Sequence, residues 1–299
     1  MKSERKYGEE IIGGIVNVTK NVAEATGVMA EKSRAMVVNS IDENGNGEID
    51  IEDLIIKGFK TPGVKINRGQ FLKAELSKNY SKTVIEEAIA FNPAHANISP
   101  KEIDKIATEV IKYERNFVSG ISAALGAPGG YAMVATIPAD IIQYYGYMLR
   151  ATQKLLYLYG FPDLNIEEKE QVLDSETMNI MILCLGVMYG SATANNAIKV
   201  ISKALATGVE KKLLNAALTK GTIYPIVKQV ATWFGKKMTK DIFAGFFKKS
   251  IPLVGGVIGG GITYFSFEKS CRLLKDSLQD TMLSNPAHDT SDVDSIFEF

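Results

Sequence analysis

Cysteine, histidine and tryptophan are nearly missing from this chain of 299 residues, which holds two Cys, two His and one Trp. Cys184, Cys271, His95 and His288 are too few for a zinc site of the usual Cys/His kind and give no disulfide framework. Net charge is missing as well. Its 34 basic side chains stand against 34 acidic ones, which excludes the overall positive field of a nucleic-acid-binding protein. Met1 to Glu10 is charged and lacks the apolar core of a signal peptide, so a cytoplasmic location is expected. Apolar runs of period two are scarce too. What is present almost everywhere is apolar spacing of helical period, and the expected fold is all-α, a multi-helix bundle.

Three helices are marked by their ends or faces. Ser99, Pro100 and Glu102 form a capping box with proline at the first helical position, and Ile103, Ile106, Ala107, Val110, Phe117 and Ile121 are expected to make the buried stripe that follows. A second helix is predicted from Pro138 to Leu158, stopped by Gly160 and Pro162. In the last, Phe267, Cys271, Leu274, Leu278 and Met282 share one face. The tail from residue 286 to 299 is acidic, with little to bury, and is expected to be mobile.

The zero balance hides an asymmetry of charge. From Asp42 the chain reads DENGNGEIDIED, placing Asp42, Asn44, Asn46, Glu48, Asp50 and Asp53 at the alternate ligand positions of an EF-hand-type loop, with Gly47 where the chain must turn sharply. Calcium is a hard cation that takes a shell of oxygens, and these side chains, with the backbone carbonyl of Glu48, supply one. The closing residue is Asp53 instead of the usual bidentate Glu, and Asn44 and Asn46 are neutral, so the expectation is one Ca2+ ion held with modest affinity, as in the dockerin-type variant. A solvated acidic turn is the alternative reading.

Three stretches carry no charge: Asn116 to Ala139, Thr177 to Ile198 and Ser250 to Phe267. Proline, glycine and asparagine interrupt each, which argues against a continuous spanning helix. Gly186 with Gly190, Gly255 with Gly259 and Gly256 with Gly260 have the spacing that lets two helix backbones approach closely, in soluble cores and in lipid alike. Asp140 and Arg150, the lone charges between Arg115 and Lys154, lie about 15 Å apart along one helix. Asp140 is expected to complement the dipole of a helix started by Pro138.

Between Lys199 and Lys249 there are eleven lysines against Glu210 and Asp241. Within this run Trp233, Phe234, Phe243, Phe246 and Phe247 interleave with Lys236, Lys237, Lys240, Lys248 and Lys249. Aromatics beside flanking lysines suit the headgroup boundary of an anionic bilayer. An ordinary surface helix with snorkelling lysines has the same pattern.

Read in order, LGAPGG at Leu125 to Gly130, IPADI from Ile137, MLRATQKLLYLYGFPD at Met148 to Asp163 and KKSIPLVGGVIGGGITYFSFEKSCRLLK at Lys248 to Lys275 resemble the EcsC protein family over roughly Ser99 to Ser284. The resemblance implies an all-helical bacterial domain, named after a gene linked with an ABC transporter, with no established activity and no catalytic residues to carry over. It divides the chain into an amino-terminal extension of residues 1–98 with the calcium-type loop, a helical domain of 99–285 and a tail.

Catalytic patterns are missing. Cys184 lies among Leu183, Leu185 and Val187 as a small hydrophobe, and Gly255 to Gly261 is followed by no phosphate-loop Lys with Ser or Thr. The expectation is a non-enzymatic protein peripheral to the inner face of the membrane, whose partners are an anionic lipid surface or a membrane transporter, and not nucleic acid. A soluble binding protein for a lipid or other hydrophobic small molecule is the alternative, with its ligand among Tyr144, Tyr145, Tyr147 or Tyr157; an unrecognised hydrolase comes third.

Overall fold

The computed structural model describes residue 35 and residues 37–126, 130–164, 173–209, 211–249 and 255–286. Backbone alone is described at 123–126, 130–138, 211, 237–249 and 255–262, and the expected tail lies outside the described residues but for Pro286. The fold is all-α, and the described residues form no β-strand. Compactness divides the chain after Glu48, well before the expected junction at residue 98.

In the first unit a helical turn ends at Ile41, where the Asp42 amide donates to the Val38 carbonyl. The second unit begins with three short helices, α1 (Ile51–Lys60), α2 (Arg68–Leu76) and α3 (Lys82–Ala90). Three long ones form its centre: α4 (Pro100–Gly126), α5 (Gly130–Leu158) and α10 (Gly255–Gln279), with α6 (Ser175–Met188), α7 (Ala192–Ala206), α8 (Lys211–Thr219) and α9 (Tyr224–Lys249) between the last two. Helices α5 and α10 both pack against α4 and run antiparallel to it, as the pairings of Ser122 with Asp140, Glu114 with Arg150, and Asp104 with Lys275 require.

Local chemistry explains the ends. Ser99 and Glu102 make the expected box on α4: their side-chain oxygens are 2.6 Å apart, the Ser99 amide donates to Glu102 at 3.2 Å and the Glu102 amide to Ser99 at 3.3 Å. Helix α5 stops where predicted. Gly160 takes φ +97°, a conformation that L side chains rarely adopt, and the Phe161 amide reaches back to the Leu156 carbonyl at 2.9 Å. Its start differs: α5 opens at Gly130, so Pro138 sits inside the helix and Asp140 is no first-turn residue. Asp140 is instead buried and accepts from the Ser122 hydroxyl at 2.8 Å across the α4–α5 contact.

The buried stripe of α4 also runs differently. Ile103, Ala107, Val110, Glu114 and Val118 face inward, whereas Phe117 is 47% exposed. A helical step from Val110 lands on Glu114 and then Val118, and the charge at 114 hid that path in the sequence. Phe267, Cys271, Leu274 and Leu278 form the buried face of α10 as expected, but the helix ends at Gln279, so Met282 lies in the turn beyond it and is half-buried.

The first half of the second uncharged stretch is core. Helix α6 is buried at every residue from Asn179 to Met188, an all-round apolar helix enclosed by protein. A Cβ on its Gly186 would meet Val230 Cγ1 at 2.5 Å and Ala194 Cβ at 2.9 Å, so this glycine admits α9 and α7. Gly190 has the other role, turning the chain with φ +85° between the end of α6 and the start of α7. The surroundings of Gly255, Gly256, Gly259 and Gly260 lie outside the described residues. An unforeseen glycine contact joins α1 to α5, where a Cβ on Gly58 would lie 2.7 Å from Leu149 Cδ1 and 3.3 Å from Gly146 Cα. Arg68 then ties the short helices down: its guanidinium donates to the carbonyls of Ile89 at 2.6 Å and Phe91 at 2.7 Å, at the end of α3, and to Phe161 at 3.1 Å beyond α5.

Candidate functional site

Rings from four parts of the second unit meet in one layer. Tyr145 of α5 and Tyr189 share a hydroxyl–hydroxyl bond of 2.7 Å. Phe234 of α9 stands edge-on to both, at 6.2 and 4.8 Å between centroids, and Tyr144 stands edge-on to Phe267 of α10 at 6.1 Å. Phe234 is 0% exposed, so this ring belongs to the core and is withdrawn from the expected lipid-facing set. Trp233 is half-buried and Lys236 exposed. Lys237, Lys240, Phe243, Phe246, Phe247, Lys248 and Lys249 lie on α9, and their side chains are outside the described residues.

Beside the ring layer runs a band of paired charge. Arg115 is the last charge on α4 before its uncharged end, and Glu268 is the first on α10 after its own; they meet at 2.5 Å, with the Arg115 guanidinium 4.0 Å above the Tyr264 ring. Arg272 adds a second contact to Glu268 at 2.6 Å. Hydrogen bonds from Arg115 and then Arg272 hold the Glu268 carboxyl below the usual carboxylate range. Glu114, 0% exposed, accepts from Arg150 at 3.0 Å and from Lys154 at 2.5 Å. The tempting charges of α5 are therefore not a pair: Asp140 bonds Ser122, and Arg150 belongs to Glu114.

Past this band α4 continues about 16 Å to Gly126 and α10 about 20 Å back to Gly255, both without charge. Antiparallel packing places these two ends, and the start of α5, at the same end of the unit. Helix α9 heads the same way. Its Phe234 lies beside Tyr145, and residues 250–254 allow Lys249 to stand no more than about 21 Å from Gly255. Phe117 and Phe265, 47% and 74% exposed, flank the band on α4 and α10. The opposite end is charged: Lys275 pairs with Asp104, Lys199 with Asp280, and an open cleft of 360 Å³ there is lined by Asn195, Lys199, Leu273, Asp276 and Ser277 among others, and by none of the tyrosines expected around a ligand.

The halves of the acidic loop fall in different units. In the first, the amides of Gly45 and Gly47 donate to Asp42 at 2.7 and 2.8 Å, that of Asn46 to Asn44 at 3.0 Å and that of Glu48 to Asn46 at 2.8 Å, with Gly47 at φ +80°. In the second, Ile49 is buried, Asp50 is the N-cap of α1, and its amide donates to Asp53 at 3.0 Å. The donor set is oxygen throughout, as calcium takes, and α1 starts at the tenth loop position, where the exiting helix of such a loop begins. Among the described residues no three His, Cys, Asp or Glu side chains are grouped as a metal centre would group them.

Both cysteines are buried, and burial pushes their thiols up, which disfavours the reactive thiolate. Among the described residues no helix is long and apolar enough to cross a membrane. No family model, curated protein or solved structure matches the chain.

Proposed function

We propose that this chain is a non-enzymatic, EcsC-like helical protein that attaches peripherally to the cytoplasmic face of an anionic membrane through the lysine-rich end of α9. One observation supports the reading above others: the unit is polarised, with paired charge at its middle and far end and none on α4 or α10 past Arg115 and Glu268. Lys236, Lys237, Lys240, Lys248 and Lys249, against the lone Asp241, supply the attraction on α9. Each lysine near an anionic surface contributes about 1 kcal/mol, and the attraction weakens as salt screens it. An accessory role beside a membrane transporter follows from the family resemblance.

Vesicle flotation tests the reading. The chain is expected to float with phosphatidylglycerol vesicles at low salt, to float poorly with neutral phosphatidylcholine, and to be released as salt rises. Flotation with neither lipid would leave a soluble lipid-binding protein as the better account.

The acidic loop adds a bracing calcium ion to the reading, on the strength of its sequence and of Gly47 and α1 falling where such a loop needs them. Titration calorimetry is expected to give one site with Kd on the order of 10⁻⁴ M, abolished by Asp42→Ala. Absence of heat and of any rise in melting temperature at millimolar calcium would reduce the loop to a turn.

A further inference from the structure

We propose that the outward side of α8 and of the first half of α9, with Val209, Lys212, Leu213, Lys220 and Lys228, is a second contact with the anionic bilayer, so that α9 lies along the membrane surface. This rests on the membrane reading above and carries its contact back from the lysine-rich end of α9, through Lys236, to a helix that reading does not use. The argument begins with what the two helices cover. Both are laid on α6: the Asn179 side-chain amide donates to the Leu218 carbonyl at 3.0 Å, and Gly186 admits Val230. Leu214 and Leu218 of α8, and Val227, Val230 and Phe234 of α9, are the sides buried by that packing. At 3.6 residues per turn the opposite side of α8 carries Lys212, Leu213 and Ala216, and that of α9 carries Lys228, Thr232 and Lys236. Helices α8 and α9 also pack on each other, so their outward sides form one surface.

The chemistry of that surface selects its partner. Lys212, Lys220, Lys228 and Lys236 are all exposed, and among the described residues none of them pairs with a carboxylate. Glu210 is the lone acid between Ala192 and Lys240. On α4 and α10 the cations are matched, Arg115 by Glu268 and Lys275 by Asp104. A surface with four lysines and almost no acid is complementary to anionic headgroups. Nucleic acid offers the same charge, but the apolar residues favour lipid. Val209 and Leu213 are 39% and 61% exposed beside Lys212, the arrangement of a helix lying in the headgroup boundary, where apolar side chains enter roughly 5 to 10 Å and lysines reach up to the phosphates. Lys228 and Lys236 stand about 12 Å apart along α9. Both reach the phosphates together only when the helix axis lies along the surface.

Leu213→Cys in the otherwise native chain is the reporter. Cys184 and Cys271 are buried with their thiols pushed up, so a maleimide-linked nitrobenzoxadiazole reacts at residue 213 alone. Val209→Cys is the replacement reporter if Leu213→Cys loses its helical circular dichroism. Tyr113→Cys is the control, 60% exposed on α4, which packs on α5 and α10. The vesicles are phosphatidylglycerol with or without a nitroxide on the upper acyl carbons. The label at 213 is expected to shift to the blue and to lose about half its emission to the nitroxide, while the control is unchanged. Lys212→Glu with Lys220→Glu is expected to weaken binding to the plain vesicles at least about 30-fold and to keep the parent's circular dichroism. A parent chain that floats, with the reporter unquenched or the double variant binding as the parent does, would overturn the α8 contact and leave attachment through the end of α9 standing. Equal quenching at 213 and 113 would overturn the choice of face. A parent chain that stays off the vesicles would remove both readings, and its capture by duplex DNA would assign these lysines to nucleic acid.

Discussion

A Glu114→Ala chain is expected to lose about 3 to 5 kcal/mol of folding stability. Glu114 is 0% exposed and pairs with both Arg150 and Lys154 across the α4–α5 contact. Removing the carboxylate strands an ammonium of a 9% exposed side chain between the Phe71 and Tyr113 rings, 5.5 and 5.7 Å from their centroids. Those rings attract a cation by only about 0.5 to 2 kcal/mol, too little to replace an ion pair at 2.5 Å. Arg150 suffers less because it also donates to the Gly63 carbonyl and is partly exposed. Urea unfolding measures the loss, which should appear in the midpoint with the slope unchanged. Glu114→Ala combined with Lys154→Met should recover part of it, since the stranded charge is then gone. If the single variant unfolds within about 1 kcal/mol of the parent, Glu114 is not the electrostatic centre of the α4–α5 contact.

Reversing Lys236 and Lys237 together is expected to reduce binding to phosphatidylglycerol vesicles by at least about 30-fold. Two lysines near an anionic surface account for about 2 kcal/mol, and the glutamates that replace them add repulsion. Lys236 is exposed, so its replacement has no core to disturb. Phe246→Ser with Phe247→Ser separates the apolar part: binding should fall even at low salt where the lysines still attract. Flotation across a salt series reads both. Unchanged binding in the Lys236→Glu, Lys237→Glu chain would show that α9 does not meet the headgroups.

Fold class and several helix ends were legible in the sequence because they depend on neighbours within one turn. Ser99 with Glu102 and Gly160 before Pro162 are of this kind, and so is the apolar face of α10. What escaped depends on partners far along the chain. Nothing near Glu114 in the chain marks it for burial, because Arg150 and Lys154 reach it from α5, and Glu114 and Val118 occupy the stripe in which the helical period placed Phe117. Arg68 carried no sequence signal at all, since its partners are backbone carbonyls. Phe234 shares the lysine–aromatic pattern of its neighbours, yet Tyr145 and Tyr189 claim it for the core. The uncharged stretches were visible one by one. That two of them end together while the third fills the core as α6 depends on helix direction, which composition does not encode.

The account rests most heavily on the lysine-rich end of α9 meeting lipid, and amide hydrogen exchange with and without phosphatidylglycerol vesicles reads that helix directly. Protection is expected to rise in residues 236–249, while residues 191–199 and 273–285 exchange at the same rate in both samples. Protection that rises equally in all three segments, or in none, would contradict attachment through α9.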